Sequence, residues 1–342
     1  MRLLDITALT LHEFFGVNIP PYAILSHRWE GREVTFQDLE SGPQPASPSF
    51  SKITRCCAQA VSDGIEWVWI DTCCIDKTSS AELSEAINSM FRWYREADVC
   101  YAYLSDVPSG GDSENLQQPN SAFRCSQWFT RGWTLQELLA PETVVFFNAD
   151  WEDIGTKYSM EDLLSSITGI SLFEDFDSAC VAQKFSWGSK RQTTREEDGA
   201  YCLMGLFGIL HTTTDETIFA WAISAVPEGK EVGILAESPL TFIHSQFIEG
   251  RTSFDISRPE MAMTNIGMRM ELYLIPDNRS PTGVERFLAP LNCKDRRYSK
   301  DVHLAMTLVR VSGDLFSRVS PTVRNIQVPD DGNNNDKRRT LS

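Results

Sequence analysis

The feature that most constrains the fold is the alternation of short apolar runs with segments that repeat apolar residues at helical spacing. Four apolar runs predict strands at residues 22–26, 66–71, 99–104 and 143–147. Strands that alternate with helices favour right-handed crossovers and a parallel sheet. We therefore expect an α/β domain of three layers with a central, mainly parallel sheet.

Apolar stripes predict the helices between these strands. One helix over 83–94 would begin after the N-cap Ser80 and bury Leu83, Ile87, Met90, Phe91 and Tyr94. Another would bury Ile53, Cys56, Cys57, Ala60 and Val61 and stop at Asp63-Gly64. A short helix over 134–139 would end before Pro141.

The composition and the hydrophobic pattern of the sequence change along the chain, and these changes predict four parts. Residues 1–150 form the α/β core, and residues 151–235 form a helical subregion with helices at 160–167 and 194–207. Short apolar runs at 268–275, 287–291 and 302–311 predict a smaller, mainly β unit over 236–328. The polar tail at 329–342 is expected to be disordered.

Composition narrows the class of protein. A formal net charge of -16 acts against nucleic-acid binding. The nine cysteines are odd in number and show no C-x-x-C repeat, which disfavours both a disulfide scaffold and a zinc site. Because no stretch approaches the roughly 18 apolar residues of a membrane span, we expect no membrane span and a reduced, cytoplasmic protein without a bound metal.

Ligands of parallel α/β sheets bind beyond the carboxyl ends of the strands. The first predicted strand ends in Ser26, His27, Arg28 and Trp29, which could hold a phosphate and stack a base. Equally, these side chains could bind only the following loop and cover the sheet edge. The sequence leaves both interpretations open.

The second strand ends in a polar segment that contains Asp71, Cys74 and Asp76. Asp71 could bind a ribose hydroxyl or orient His27, or it could simply cap the next turn. A Cys74-His27 nucleophile pair is disfavoured, because buried cysteines usually act as inert small hydrophobes.

The segment RGWTLQEL supplies Arg131, Trp133 and Glu137. On a helix, an indole and a carboxylate four residues apart share one face and could seat an aromatic ring beside the carboxylate. A packed Trp133 beside a solvated Glu137 is the commoner meaning of such a pair. The chain lacks the P-loop, nucleophile-elbow, zincin and dinucleotide-binding motifs, so those enzyme classes lose support.

Three ordered blocks resemble the signature of the fungal heterokaryon incompatibility (HET) domain. They are AILSHRW, the run from GIEWVWIDTCCIDK to YAYLSDV, and WFTRGWTLQELLAP. FSWGSKRQTTREEDGAYCLMGLFGI, DETIFAW and TNIGMRMELYLIP resemble the region that commonly follows, to about residue 320. One departure is the loss of a PLLYGEG-like segment near residues 209–215, so the resemblance implies an abridged helical subregion around residues 205–220.

The resemblance implies a layout similar to Toll/interleukin-receptor (TIR) domains, some of which cleave NAD. The plant versions carry a catalytic Glu in a Ser-x-Trp-Cys-Leu-x-Glu-Leu motif, and the segment from Trp133 to Leu138 matches its Trp, Leu, Glu and Leu positions. The match nominates Glu137 as the catalytic residue and implies NAD as a substrate, with no bound cofactor. The nominated binding residues are Ser26, His27, Arg28, Trp29, Asp71, Cys74, Asp76, Arg131 and Trp133.

The function implied is non-self recognition and programmed cell death, a form of innate immunity. One hypothesis is a self-associating NAD glycohydrolase that depletes NAD. The other is a non-catalytic signalling or adaptor domain that self-associates and recruits partners, an NLR-like receptor among them. Nicotinamide release by the purified protein and by Glu137→Ala would discriminate between the two.

Overall fold

The structure is a computed structural model of the chain. It describes residues 1–42, 47–109, 116–172, 176–195, 197–207, 215–222, 232–250, 261–264, 267–278, 284–298, 302–320, 323–327 and 338–341. The chain divides into two compact units. The first comprises Met1–Phe176 and Arg191–Leu206, and the second comprises Asp177–Lys190 and Phe207–Ser342.

A seven-stranded sheet forms the centre of the first unit. Its strands are β1 (Arg2–Asp5), β2 (Leu11–Glu13), β3 (Ala23–His27), β4 (Trp67–Trp69), β5 (Val99–Tyr103), β6 (Val144–Phe147) and β7 (Asp153–Thr156). They lie in the order β2-β1-β4-β3-β5-β6-β7.

The four central strands, β4, β3, β5 and β6, are parallel. This confirms the predicted strands and the parallel centre of the sheet. The sequence pattern did not predict β1, β2 and β7, which pair antiparallel at the two edges. Their sequences, RLLD, LHE and DIGT, mix apolar with polar or charged residues, so they lack the continuous apolar runs that identify a buried parallel strand. The three-layer arrangement stays a prediction.

The described helices are α1 (Phe36–Glu40), α2 (Pro48–Ser62), α3 (Ser80–Glu96), α4 (Ala122–Cys125), α5 (Thr134–Leu139), α6 (Glu161–Thr168), α7 (Val181–Gly188) and α8 (Asp198–Phe207). All helices predicted from apolar stripes are present. The sequence pattern did not separate α7 as a helix of its own.

The helix predictions differ from the structure at four residues. Leu83 and Ile87 of α3 are only partly buried. Val61 is 61% exposed on α2, whereas the other four members of its stripe are buried. The N-cap of α3 is Ser79 rather than Ser80, because the Ser79 side chain accepts a hydrogen bond from the backbone N–H of Glu82. A serine hydroxyl can cap either residue, and only the path of the backbone decides which one does.

The second unit contains mainly short antiparallel strands. They are β8 (Ile248–Gly250), β9 (Ala262–Thr264), β10 (Gly267–Tyr273), β11 (Ile275–Pro276), β12 (Arg286–Pro290), β13 (Cys293–Asp295), β14 (Val302–Ser312), β15 (Leu315–Arg318), β16 (Arg324–Gln327) and β17 (Arg338–Leu341). The long strand β14 pairs with β12, β15 and β16. Strands β10, β12 and β14 confirm the three apolar runs predicted in this region.

The predicted tail at 329–342 is described only in part. Arg338–Leu341 form β17 and pair antiparallel with β10. At these four residues the structure differs from the expected disorder, because an open strand edge offers unpaired backbone groups that a further extended segment can satisfy. Residues 329–337 and 342 lie outside the described residues, as do 208–214 of the abridged segment. The four-part division of the chain stays a prediction.

All nine cysteines are free thiols. Within the described ranges, no helix combines the length and the apolar character needed to cross a bilayer.

Candidate functional site

Ser26 and Glu137 meet at the carboxyl end of β3. The Ser26 hydroxyl donates a hydrogen bond of 2.5 Å to Oε2 of Glu137, and it accepts one of 2.8 Å from the indole Nε1 of Trp128. Ser26 is fully buried and Glu137 is 7% exposed. The three side chains therefore form a buried polar network that joins the sheet to α5.

The surrounding elements hold this network in place. Ser26 pairs with Ala102 in the register of β3 and β5. On β5, the Cys100 thiol donates to the backbone carbonyl of Glu137 at 3.8 Å. Tyr94 of α3 donates to the carbonyl of Leu25 at 3.1 Å, and burial together with the Glu137 carboxyl raises the pKa of its phenol. The site is therefore built from α3, β3, β5 and α5.

Burial dominates the electrostatics of Glu137. It raises the pKa of the carboxyl to about 8, against the opposing effect of the hydrogen bond from Ser26. The negative charge of Asp71 raises this pKa further, and the cations of Arg191 and Arg131 lower it. At neutral pH the carboxyl of Glu137 is thus mainly protonated.

His27 follows Ser26 on β3 and lies beside Asp71, with 3.9 Å between His27 Nε2 and Asp71 Oδ1. The histidine side chain is 1% exposed, and neither ring nitrogen has a hydrogen-bond partner among the described residues. Burial lowers the pKa of His27 to about 3, with the cation of Lys52 acting in the same direction. His27 is therefore a neutral, buried imidazole in this structure.

A surface cluster lies next to His27 and contains Trp29, Asp71 and Lys77. The indole Nε1 of Trp29 donates to Asp71 Oδ2 at 2.9 Å. The Lys77 ammonium lies 3.6 Å from the centroid of the Trp29 ring and 3.5 Å from Asp71 Oδ2. A cation on the face of a half-exposed indole is a favourable arrangement, worth about 0.5–1 kcal/mol at an exposed site.

Asp76 and Cys74 have local partners. Asp76 Oδ1 accepts hydrogen bonds from the backbone and the hydroxyl of Thr78 and from Gln37 Nε2. Cys74 is buried, and its thiol lies 3.3 Å from the backbone nitrogen of Ile70. Asp76 therefore caps a turn. Cys74 is buried and makes no hydrogen bond with His27.

The remaining nominated residues are Arg28, Arg131 and Trp133. In the part of the chain that the structure describes, the guanidinium of partly exposed Arg28 has no ion-pair or hydrogen-bond partner. Arg131 donates to Thr194 Oγ1 at 3.1 Å. Trp133 is the N-cap of α5, and its carbonyl accepts from the backbone N–H of Glu137 at 3.4 Å.

Sequence reasoning missed four residues of the site: Tyr94, Lys77, Trp128 and Arg191. Trp128, not Trp133, supplies the indole that contacts Ser26. The aromatic-rich segment before Arg131-Gly132-Trp133 contains Trp128, and this was the sequence signal that could have identified it. Arg191 carried no local signal, because it lies more than fifty positions beyond Glu137 in sequence.

No described group of three or more His, Cys, Asp or Glu side chains is arranged to hold a metal ion. The described side chains at the site are a buried carboxyl, a hydroxyl, an indole and nearby cations.

Comparisons with known proteins agree with the motifs. Residues 22–120 match the family model described as "Heterokaryon incompatibility protein (HET)". The chain is 47% identical over 201 residues to "Vegetative incompatibility protein HET-E-1" of Podospora anserina, and this alignment covers 56% of the chain and 15% of the relative. No solved structure matches the chain. The chain thus carries a segment similar to the fungal heterokaryon incompatibility family, while the TIR-like layout stays a prediction.

Proposed function

We propose that this protein acts in fungal heterokaryon incompatibility as a module that triggers cell death. The observation that carries the proposal is the 47% identity over 201 residues to a vegetative incompatibility protein, together with the family match at residues 22–120. Because the chain aligns with 15% of that relative, the proposal concerns the module and not the whole relative.

The proposed chemistry is NAD glycohydrolysis with Glu137 as the catalytic carboxylate. The bond between ribose C1′ and the nicotinamide nitrogen breaks, and its electron pair neutralises the cationic ring. Water then adds to C1′ and releases a proton, so that the products are nicotinamide and ADP-ribose. Since the leaving group is already cationic, the step needs a carboxylate that stabilises positive charge on ribose rather than a strong acid.

The position of Glu137 supports this chemistry. Its carboxyl contacts Ser26 at the carboxyl end of β3, the edge at which ligands of parallel sheets bind. Arg28 and Lys77 follow β3 and β4 and could pair with the pyrophosphate of the substrate. Glu137 must become ionised and accessible in order to act, because it is buried and its pKa is raised to about 8.

The test is expression of the parent and of Glu137→Gln in a fungal host, with measurement of viability and of cellular NAD. Gln matches the shape of a protonated Glu, so the variant should fold. Loss of a charge that stabilises the transition state should slow NAD cleavage about a hundredfold or more. Glu142→Gln removes an exposed carboxylate five residues away and serves as the matched control.

The second candidate is a non-catalytic module that self-associates and recruits partners, an NLR-like receptor among them. The burial of Glu137 favours this candidate, because a buried, protonated carboxyl can link the sheet to the helix by hydrogen bonding without taking part in catalysis. A folded Glu137→Gln protein that kills without lowering NAD, as its parent does, would support the second candidate. A variant that still lowers NAD would remove Glu137 from the catalytic role.

A further inference from the structure

Arg191 contacts the turn from which α5 begins. Its Nη1 donates two hydrogen bonds of 2.9 Å, one to the carbonyl of Arg131 and one to Oγ1 of Thr134. Thr134 Oγ1 in turn donates to the carbonyl of Trp128 at 2.5 Å. One guanidinium thus fixes the turn between Trp128 and Glu137, two side chains of the buried network.

The backbone that follows Arg191 packs against the same turn. The N–H of Gly132 donates to the carbonyl of Gln192 at 2.9 Å, and the N–H of Gln192 donates to the carbonyl of Thr130 at 2.7 Å. A Cβ at Gly132 would lie 2.5 Å from Thr193 Cγ2 and 2.9 Å from Cys202 Sγ. The close approach requires glycine at this position, so the turn and the segment after Arg191 are built to fit each other.

The Arg191 guanidinium is also an electrostatic neighbour of Glu137. Burial lowers the pKa of Arg191 to about 10, and the Glu137 carboxyl opposes that change. The charged and titratable groups that act on Glu137 are Asp71, Arg191 and Arg131, with Tyr94 and Cys100 in contact with it. Of the two cations, Arg191 has the larger effect on the pKa of Glu137.

We propose that Arg191 is a positioning residue for Glu137, which it holds at the carboxyl end of β3 by fixing the Arg131–Thr134 turn. The inference rests on the proposed function only in treating Glu137 as the catalytic carboxylate. Since a displacement of about 1 Å at a reacting group can cost on the order of a hundredfold in rate, a residue that sets this position matters for turnover.

The experiment compares Arg191→Gln and Arg191→Lys with Lys190→Gln in the full chain. Lys190 is exposed, adjacent and equally charged, so its variant controls for the loss of one positive charge. The titration of Glu137 is followed by carbon NMR of labelled glutamate, and the Glu137→Gln protein assigns the signal. Amide hydrogen exchange in α5 reports position independently of activity.

Arg191→Gln should move the titration midpoint of Glu137 to higher pH and speed amide exchange in α5, whereas Lys190→Gln should change neither. Arg191→Lys keeps the charge, but its Nζ is one bond closer to Cα than Nη1 of Arg191, which makes both hydrogen bonds. The midpoint of Glu137 should therefore stay near that of the parent while exchange in α5 becomes faster. The kcat for NAD cleavage should fall about tenfold or more in both Arg191 variants, with KM little changed.

Two results would overturn the inference. In the first, folded Arg191→Gln shows the same amide exchange in α5 and the same Glu137 titration midpoint as the parent. In the second, Arg191→Lys shows the same amide exchange in α5 and the same kcat as the parent. If Arg191→Gln does not fold, the test rests on the rate of amide exchange in α5 of Arg191→Lys. The parent could cleave no NAD while the Arg191 variants still show the expected midpoint shift of Glu137 and the faster exchange in α5. That result would contradict the proposed NAD chemistry and would still support the role of Arg191 in positioning Glu137.

Discussion

Gly205 of α8 lies directly against Phe91 of α3, so that a Cβ added at Gly205 would be 2.7 Å from Phe91 Cγ. The backbone of one helix thus approaches the side chain of the other without room for a methyl group. We expect Gly205→Ala to lower the free energy of unfolding by about 1–3 kcal/mol, because overpacking forces a shift of the backbone or of the ring. Urea denaturation measures the change.

Gly199 in the same helix provides the control for this prediction. A Cβ there would meet its nearest atom, Thr193 Oγ1, at 3.8 Å. Gly199→Ala should therefore stabilise the protein by about 0.4–1 kcal/mol, since alanine restricts the unfolded chain. Equal effects of the two variants would contradict the close approach at Gly205.

The second prediction concerns stability and pH. Burial raises the pKa of Glu137 from 4.5 to about 8, so between these values the folded protein binds more protons than the unfolded chain. The contribution of Glu137 is fully present below the lower value and is lost as pH rises through the upper one. The free energy of unfolding of Glu137→Gln, relative to the parent, should accordingly increase from pH 5 to pH 8.

Denaturant midpoints of the two proteins across this range provide the measurement, and their difference cancels the other titrating groups. A difference that stays constant from pH 5 to pH 8 would mean that Glu137 is ionised in both states over this range, and it would contradict the raised pKa.

The third prediction applies to NAD cleavage. If only the ionised carboxyl stabilises charge on ribose, kcat should rise as pH increases from about 6 towards the Glu137 pKa of about 8 and then level off. A stopped assay of nicotinamide release at fixed ionic strength gives the profile. A rate that falls over this range would show that the protonated acid, and not the carboxylate, is the active form.

The fourth prediction concerns Arg318 in the second unit, whose side chain is among the largest that are fully buried. Its guanidinium donates to the carbonyls of Ser320, Phe219 and Trp221 at 3.0–3.1 Å and lies 3.8 Å from the centroid of the Trp221 ring. Arg318→Gln leaves buried carbonyls unpaired, each of which costs about 1–3 kcal/mol. We expect a loss of at least about 3 kcal/mol in thermal or urea unfolding.

Arg296 offers the comparison for Arg318. Its side chain is 46% exposed and pairs with Glu249. Because exposed ion pairs contribute about 0–1 kcal/mol, Arg296→Gln should hardly change unfolding. If the two variants behaved alike, the buried guanidinium would not be a structural requirement.

Much of the fold of the first unit could be predicted, because buried parallel strands and amphipathic helices carry local patterns. The segments that became β3, β4, β5 and β6 are mostly apolar, as expected for strands covered on both faces, and the polar exceptions Ser26 and His27 stand at the end of β3. Strands β1, β2 and β7 carry no such pattern, since their sequences RLLD, LHE and DIGT mix apolar with polar or charged residues. Their conformation depends on pairing with a neighbouring strand.

The candidate site could be predicted only in its general place. Topology placed Ser26 and Asp71 at the ends of neighbouring strands, and a motif nominated Glu137. The spacing placed the indole of Trp133 on the same helix face as Glu137, whereas the indole that donates to Ser26, the hydrogen-bond partner of Glu137, is that of Trp128. Both residues precede the same helix, so the sequence pattern alone does not tell which indole reaches Ser26.

By itself, the sequence determined which residue types stand at the ends of the strands and which helices follow them. Only the tertiary structure decided that Glu137 is buried and that its pKa rises to about 8. The protonation state of a carboxyl depends on the water and the charges around it. Those surroundings come from α3, β3, β5 and Arg191, which are distant in sequence and meet only when the chain is folded.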